Sequence, residues 1–431
     1  MNDLYFQSLD NSLKQAGIHY PSLIIDKQRL DQNIDHLLQV TNQGYQLRIV
    51  AKSLPSVPML RYIMRRTGTN RLMSFHLPFL IHLIQEIPEA DVLLGKPMPI
   101  SAVQAFYNWK QTSLSSFNDS QQLQWLVDSL ERLQEYQNFA QRQQITMQIN
   151  LEINIGLNRG GFSDESEFDQ ALALLKKSRH LKLSGLMGYE AHITKIPGFL
   201  GGHRKAFKQA MTTYQQRIQQ IEAVFGEETT SQLCLNGAGS STYPLYEQAA
   251  RQKTPVINEI ATASALVKPT DFDVFTLQHH APACFIAAPI LKDIDAPEIP
   301  MASGLTKLLR LFGKAPKRGV FIYGGNWLAS PCYPDEAKHS ELLGHSSNQE
   351  LYQVPLNSPV KRDDFLFFRP SQSEAVFLQF GELLLLDEGK IKQHWPVFQY
   401  PIDSLPEAVP LSQSETGSQS RTNIKPSQKI L

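Results

Sequence analysis

The sequence predicts an α/β protein whose larger part is a closed (β/α)8 barrel, followed by a smaller, mostly antiparallel β domain. Short apolar runs alternate with helical patterns at nearly regular spacing, giving eight strand–helix units over about 240 residues. After about Asp273 the helical periodicity disappears, and β-rich runs broken by Gly and Pro follow. A doubly wound sheet is the alternative, but eight units of even length without an obvious split favour a closed barrel.

The predicted elements divide the chain into four parts. An N-terminal helix occupies 1–20, the barrel 21–275, the β domain 276–405 and a disordered tail 406–431, which is rich in Ser, Gln, Thr and Pro. The predicted barrel strands are 46–51, 71–75, 91–95, 122–128, 146–154, 182–190, 232–236 and 255–260. The β-rich runs of the second domain are 284–290, 319–323, 364–369, 375–380 and 382–386.

The first residues have two interpretations. Residues 5–8 resemble the remnant of a cleaved protease tag. The spacing of Leu4, Phe6, Leu9 and Leu13 fits a native amphipathic helix equally well. Both interpretations stay open at this point.

Composition excludes several classes of protein. The 431 residues carry 41 basic and 41 acidic side chains without a run of one sign, which speaks against a nucleic-acid partner. Cys234, Cys284 and Cys332 are widely spaced, so we expect a reducing compartment and no disulfide framework or zinc ribbon. No stretch approaches the roughly 18 apolar residues of a membrane span, and no signal peptide is visible. These features predict a cytoplasmic protein without a membrane partner.

Lys52 is the first candidate site residue. It follows the apolar run 47–51, at the carboxyl end of the first predicted barrel strand, and precedes Pro55. The carboxyl ends of barrel strands face the active site. A lysine partly withdrawn from water there is more readily deprotonated and can form a Schiff base with a carbonyl group. The alternative is a strand-end lysine whose ammonium group reaches bulk solvent.

The loops after the fifth and sixth strands add further candidates. Arg159 lies between glycines in 156–162, where glycine permits a positive φ and the guanidinium can hold an anionic oxygen. An ion pair with a helix carboxylate is the other interpretation of Arg159. Tyr189 and His192 follow the sixth strand at the same mouth, although a single loop histidine is more often structural than catalytic.

The loop after the seventh strand predicts a phosphate site. Its small residues let several backbone N–H groups point at one place, hydroxyl groups add donors, and a helix N-terminus follows. The candidates are Gly237, Gly239, Ser240, Ser241 and Thr242. Alone, this pattern also fits a tight turn with a helix cap. Together with a strand-one lysine it indicates a phosphorylated aldehyde, and pyridoxal 5'-phosphate is the cofactor with those two groups.

In these motifs the chain resembles the fold-type III pyridoxal-phosphate enzymes, which have alanine racemase-like barrels. Within them it is most similar to the branch of D-threonine aldolase and D-serine dehydratase. The resemblance extends over roughly residues 18–400 and is densest in the barrel. The segments that carry it are 21–26 with Asn33, 50–52, 156–161, 185–192, 237–243, and 258–259 with Ser264.

The resemblance implies a role for each matching residue. Lys52 would form the Schiff base, Arg159 would lie near the cofactor ring, and Tyr189 would line the pocket. The residues implied around the cofactor phosphate are Gly237, Gly239, Ser240 and Thr242, and Ser241 and Ser264 are further cofactor-binding candidates. The resemblance also implies a small-molecule amino-acid substrate and a homodimer in which the β domain of one subunit covers the barrel mouth of the other.

The chain departs from this branch at the position of a C-terminal metal pair, where the family has a His and, two residues later, an Asp or Cys. Gln372 stands in place of the His and Glu374 in place of the second ligand. A neutral amide is a poor zinc ligand. Glu350 and Glu374 could still hold Mg²⁺ or Mn²⁺, or Gln372 and Glu374 could form a polar patch that recognises substrate. Whether a divalent metal binds stays open.

The function predicted from this resemblance is a pyridoxal-phosphate-dependent lyase acting on a D-amino acid, of the D-threonine aldolase or D-serine dehydratase type. An amino-acid racemase or epimerase is the alternative, and it needs a second acid or base. The candidates for that group are Tyr189, His192, Cys332 and Tyr333. A non-catalytic pyridoxal-phosphate carrier is less consistent with the appended β domain. An aldolase that forms its Schiff base with a sugar would place the lysine on a later strand.

Overall fold

The computed structural model describes residues 3–197, 199, 202–251, 255–298, 301–312 and 315–399. The predicted tail 406–431 lies outside the described residues. The helices are α1 (Asp3–Gln15), α2 (Lys27–Thr41), α3 (Val57–Thr67), α4 (Leu77–Glu86), α5 (Ile100–Thr112), α6 (Asp119–Gln122), α7 (Leu130–Gln143), α8 (Glu165–Lys177), α9 (Gly202–Phe225), α10 (Glu227–Ser231), α11 (Tyr246–Arg251), α12 (Ser303–Leu311) and α13 (Ser373–Val376).

The strands alternate with these helices until β9 and then follow one another more closely. They are β1 (Ser22–Asp26), β2 (Gln46–Val50), β3 (Arg71–Ser74), β4 (Asp91–Leu94), β5 (Leu123–Val127), β6 (Met147–Ile153), β7 (Leu181–Gly188), β8 (Cys234–Gly237), β9 (Glu259–Thr262), β10 (Cys284–Asp295), β11 (Arg318–Tyr323), β12 (Ala329–Tyr333), β13 (Lys338–His339), β14 (Gln349–Gln353), β15 (Phe365–Pro370), β16 (Glu382–Asp387) and β17 (Lys390–Pro396).

Strands β2 to β9 form a closed parallel barrel, in which β2 pairs with both β3 and β9. The predicted (β/α)8 barrel is confirmed, and the doubly wound alternative is wrong. The sequence folds this way because short apolar runs suit strands that are covered by side chains on both faces. All five residues of β5, for example, are buried.

A network of charged side chains connects the barrel strands β2, β3 and β9. Glu259 accepts hydrogen bonds from Arg48 Nε at 2.6 Å and from Arg71 Nη1 at 2.6 Å. Arg48 also donates to the carbonyl groups of Leu72 and Asp91. Arg48 and Glu259 are fully buried, so each charge depends on its partner for compensation.

The remaining strands form the second, mostly antiparallel sheet, which confirms the predicted β domain. Strand β1 lies inside this sheet, antiparallel to β10 and parallel to β16. The range predicted for the barrel, 21–275, therefore includes a strand that is hydrogen-bonded in the other sheet. The sequence did not reveal this because the apolar run of a fully buried strand looks the same in either sheet.

One predicted β run of the second domain is wrong. Residues 375–380 lie in α13 and in a single 3-10 turn, Phe377–Gln379. Val376 and Phe377 are buried, whereas Ala375 is exposed. A short apolar run in the sequence does not show whether its buried residues belong to a strand or to a helical turn. This helical segment carries Glu374 to the mouth of the barrel, as described below.

Helix α1 packs against the second sheet through its apolar face. Phe6, Leu9 and Leu13 are buried, whereas Leu4 is exposed. The ring of Phe6 stacks on Tyr333 with centroids 5.2 Å apart. This burial agrees with the interpretation of the segment as a native amphipathic helix. None of the described helices has the length and apolar character needed to cross a membrane.

Candidate active site

A cavity of about 700 Å³, part of which is open to solvent, lies at the carboxyl ends of the barrel strands. Its walls come from residues that follow β2, β7, β8 and β9, and from α13 of the second domain. The sequence places polar groups there because each strand of a parallel barrel ends at the same face. Lys52, Arg159, Tyr189, Gly239, Ser240, Ser264 and Glu374 all line the cavity.

Lys52 lies in a 3-10 turn, Ala51–Ser53, directly after β2. Its Nζ atom is 3.8 Å from Glu374 Oε1 and 4.6 Å from the centroid of the Phe75 ring. The amine thus has a carboxylate on one side and an aromatic face on the other. Both Lys52 and Glu374 are about one-third to two-fifths exposed, so a small molecule can reach them.

Arg159 and Tyr189 form another wall of the cavity. The guanidinium carbon of Arg159 is 5.1 Å from the centroid of the Tyr189 ring. The flanking Gly156 and Gly161 have φ values of 114° and 88°, so both predicted backbone bends require glycine. Burial raises the pKa of Tyr189 above its ordinary value, and the phenol therefore stays protonated at neutral pH.

The buried carboxyl group of Glu190 holds the glycine-rich turn after β8 in place. Thr242 Oγ1 donates to Glu190 Oε1 at 2.6 Å and accepts the N–H of Gly239 at 3.0 Å. Burial raises the pKa of Glu190 to about 7, despite this hydrogen bond. A Cβ atom at Gly239 would lie 2.5 Å from Cε2 of Tyr189, so the turn and the aromatic wall fit together only without a side chain there.

Two serines present polar groups at this end of the cavity. Ser240 Oγ lies 3.0 Å from Thr262 Oγ1 and accepts the N–H of Ala263 at 3.2 Å. Ser264 Oγ lies 3.4 Å from Ser373 Oγ. The backbone N–H groups of Ser240 and Ser241 donate to no acceptor within the described part of the chain. Unpaired N–H groups in a turn of small residues are suited to bind a phosphate.

Other predicted site residues lie outside the set that lines the cavity. The His192 ring is beside Gly156, its Nδ1 atom is buried without a partner in the described residues, and burial lowers the pKa of this histidine. Gly237 packs against Ile257. The hydroxyl group of Thr242 is hydrogen-bonded to Glu190 and to the N–H of Gly239.

The two residues at the position of that branch's metal pair have different partners. Gln372 Nε2 donates to Asp271 Oδ2 at 2.8 Å, whereas Glu374 faces Lys52. Glu350 lies on β14 and is hydrogen-bonded to a different group of side chains.

Sequence reasoning missed Phe75, Thr262 and the role of Glu190. Phe75 follows β3 and Thr262 ends β9, so their position at strand ends was a usable signal. The last barrel strand was predicted at 255–260 and is found at Glu259–Thr262, which hid the contact between Thr262 and Ser240. Glu190 was visible in its motif, but its partner Thr242 belongs to another loop.

The model of the alanine racemase N-terminal domain family matches residues 25–252, which is more than half of the chain. The chain belongs to this family. The predicted resemblance to fold-type III pyridoxal-phosphate enzymes is thereby confirmed. A comparison with curated proteins finds no match.

Solved structures show the same fold as this member of the alanine racemase N-terminal domain family. D-threonine aldolase from Filomicrobium marinum superposes with a TM-score of 0.67 at 15% identity, covering 88% of this chain and 95% of the aldolase. D-threo-3-hydroxyaspartate dehydratase from Delftia sp. HT23 gives 0.65 at 14%, covering 88% and 97%. Alanine racemase from Bacillus anthracis gives 0.64 at 12%, covering 87% and 97%. At these identities the likeness establishes the fold.

Proposed function

We propose that this protein is a pyridoxal-phosphate-dependent lyase acting on a D-amino acid with a hydroxyl group on Cβ. The observation that supports it best is the Lys52 amine, which shares one cavity with Gly239 and Ser240 of the glycine-rich turn and with the Glu374 carboxylate. The chemistry of these groups fits the cofactor, since an amine can hold its aldehyde and unpaired N–H groups can hold its phosphate. When bound, the cofactor acts as an electron sink for bonds at the substrate α-carbon.

Lys52 has two roles in this proposal. Its amine would hold the aldehyde group of the cofactor. As a free amine it would move a proton at the substrate α-carbon, for which its position at the end of β2 is suited. The face of Phe75 at 4.6 Å limits the directions from which water approaches the amine.

Glu374 is placed to act on the hydroxyl group of the substrate. Its Oε1 atom is 3.8 Å from Lys52 Nζ, so a group on the carbon next to the α-carbon comes within reach of the carboxylate. In an aldolase, the Glu374 carboxylate would accept the hydroxyl proton while the bond between the α-carbon and Cβ breaks, and Lys52 would return a proton to the α-carbon, which gives an aldehyde and glycine. In a dehydratase, Lys52 would take the proton of the α-carbon, and Glu374 in its carboxylic-acid form would donate the proton with which the hydroxyl group leaves as water. Hydrolysis of that product gives a 2-oxo acid and ammonia.

The other cavity residues bind and orient. Ser240 and Ser264, which line the cavity, would hold the phosphate together with the unpaired N–H of Ser241, and Arg159 at the Tyr189 wall would lie beside the cofactor ring. His192 does not line the cavity, so it would act as an acid or base only after its side chain had moved toward it. We also propose a homodimer in which the β domain covers the partner's barrel mouth, and sedimentation velocity of the purified protein tests it.

A racemase is the second candidate function, and Tyr189 is the observation that favours it. A racemase needs a proton donor on the face of the substrate opposite the lysine. Tyr189 lines the same cavity as Lys52, and its raised pKa keeps the phenolic proton available. A racemase would convert a D-amino acid to its L-enantiomer without forming an oxo acid or an aldehyde.

An absorbance scan after loading with pyridoxal phosphate tests the cofactor part of the proposal. The wild-type protein should show a visible band that Lys52→Ala loses. Lys176→Ala is a matched control, since Lys176 Nζ also lies over an aromatic ring, 5.0 Å from the centroid of Phe225, but on a barrel helix away from the cavity. Retention of the band in Lys52→Ala would contradict the role of this amine.

A panel of D-amino acids with chiral analysis of the products tests the reaction. Formation of 2-oxo acid with ammonia, or of glycine with an aldehyde, supports a lyase, and Glu374→Gln should then reduce the turnover. Appearance of the L-enantiomer alone would replace the lyase with the racemase. A loaded protein that converts none of the panel would indicate a cofactor carrier.

A further inference from the structure

A second group of chemically active side chains lies in the β domain, outside the residues that line the cavity. His339 ends the short strand β13, His345 lies in the loop that follows, and Glu350 is on β14, which pairs with β13. The candidate ligand atoms of these three side chains all lie within 4.8 Å of one another. The proposed lyase chemistry uses none of them.

Two imidazole nitrogens point at the same carboxylate oxygen. His345 Nδ1 is 2.7 Å and His339 Nε2 is 3.4 Å from Glu350 Oε1. The two rings are stacked with centroids 4.0 Å apart. His345 Nδ1 is hydrogen-bonded to Glu350 Oε1, whereas His339 Nε2 is buried without a hydrogen bond in the described residues. A metal cation would give this buried imidazole nitrogen the partner that it lacks.

The surroundings of Glu350 hold its carboxylate in place. Its Oε2 atom accepts a hydrogen bond from Tyr352 Oη at 2.7 Å and from the N–H of Asn326 at 2.8 Å. The other ring nitrogen of His339, Nδ1, faces Glu341 Oε1 at 3.6 Å. Metal-binding histidines and carboxylates commonly have such outer partners, which orient the ligand atoms toward the metal.

We propose that His339, His345 and Glu350 bind one Zn²⁺ ion, with a fourth coordination position open to water. Two imidazoles and one carboxylate form a known donor set for zinc, and ligand atoms around a tetrahedral zinc are about 3.3 Å apart. The 3.4 Å separation from His339 already meets this distance, and the 2.7 Å separation from His345 has to widen. The His345 side chain is 62% exposed, so it can move and leaves an entry path for the ion.

The bound ion would join three segments of the β domain. It links the strand pair β13–β14 with the loop that carries His345, and Glu350 links both to the loop of Asn326. That loop continues to Leu328, whose carbonyl group accepts the N–H of Ser371 at 2.8 Å, next to the segment that carries Glu374 to the cavity. The metal therefore fixes the region that positions Glu374 without touching the cofactor cavity.

Calorimetric titration of the chelator-treated, full-length protein with zinc chloride tests the proposal. We expect one equivalent of zinc to bind and the melting temperature to rise, and His345→Ala should lose both effects. Tyr352→Phe removes a partner of Glu350 and should weaken zinc binding about 10-fold or more. His394→Ala is a matched control, because His394 Nδ1 forms a similar pair with Glu382 at 2.9 Å that has no third ligand in the described residues.

Several outcomes would overturn the site. Binding of no zinc by the wild-type protein, or equal affinity in His345→Ala and wild type, would show that the cluster is a hydrogen-bonded group without a metal. Equal loss of zinc binding in His394→Ala would mean that scattered surface histidines hold the ion. The visible cofactor band should be present in His345→Ala, so failure of the zinc site and failure of the proposed lyase function are distinguished.

Discussion

Replacement of Glu259 by glutamine is expected to destabilise the barrel by about 3–5 kcal/mol at neutral pH, which is typical for removal of one partner from a buried ion pair. Glu259 accepts hydrogen bonds from Arg48 at 2.6 and 3.0 Å and from Arg71 at 2.6 Å. Glutamine keeps a similar shape but removes the fully buried counter-charge of Arg48, and only the partly exposed Asp91, whose Oδ1 is 2.9 Å from Arg48 Nη2, then remains beside the guanidinium. The cost is therefore electrostatic and does not come from a cavity.

The pKa of Glu259 gives an independent magnitude. Burial alone would raise it, but the guanidinium groups of Arg48 and Arg71 lower the pKa from the usual 4.5 to about 2. At about 1.4 kcal/mol per pH unit, this gap of about 2.5 pH units corresponds to about 3 kcal/mol. Because the pKa is lower in the folded state, this stability is present above pH 4.5 and is lost as the pH falls toward 2.

Urea denaturation of wild type and Glu259→Gln between pH 3 and pH 7 measures both effects. The difference in unfolding free energy should be largest at neutral pH and should shrink below about pH 4.5, where Glu259 takes up a proton in the unfolded chain while it stays ionised in the folded protein. Glu89→Gln is the control, since Glu89 pairs with Arg61 at 3.4 Å on the surface and should contribute under about 1 kcal/mol. A cost at Glu259 no greater than at Glu89, or a difference independent of pH, would refute the reasoning.

Three further changes have defined outcomes. The pKa of Glu190 is raised by burial to about 7, so wild-type stability should fall as the pH rises from about 4.5 through 7, and urea denaturation of Glu190→Gln should lack this decrease. Gly239→Ala places a Cβ atom 2.5 Å from Tyr189, so it should lower the unfolding free energy by about 1–3 kcal/mol and weaken cofactor binding in a fluorescence titration. Gly304 has open space around it, and Gly304→Ala should change neither quantity. Phe6→Ala should lower the unfolding free energy by about 3–5 kcal/mol because Phe6 is fully buried, and equal stability of Phe6→Ala and Leu4→Ala would show that α1 does not belong to the folded core.

Most of the barrel could be predicted because its signal is local. A buried parallel strand needs a short apolar run and a helix after it, and both are visible within about 30 residues of sequence. The second sheet is harder to predict since its pairings are long-range. Nothing in the sequence around β1 shows that its partners are β10 and β16, and nothing at 375–380 shows that the buried residues belong to a helical turn.

The site was predictable to the extent that it follows from strand ends. Lys52, Arg159, Tyr189 and Ser240 were expected at one face and line one cavity. The proximity of Glu374 to Lys52 depends on how the second domain packs on the barrel, which no local pattern encodes. The same holds for His339 and His345, which gain chemical meaning only when the pairing of β13 with β14 brings them to Glu350.

The position of β1 has a consequence for how the protein is made. This strand emerges from the ribosome before the whole barrel, but its hydrogen-bonding neighbours β10 and β16 are synthesised only after the barrel. Its apolar residues must therefore remain without their partner strands, or be shielded from other contacts, while about two hundred and fifty residues are made and fold. Dividing the chain at one point between the barrel and the β domain therefore cannot give two complete domains. The N-terminal fragment would carry β1 without its partner strands, and the C-terminal fragment would have a second sheet without β1.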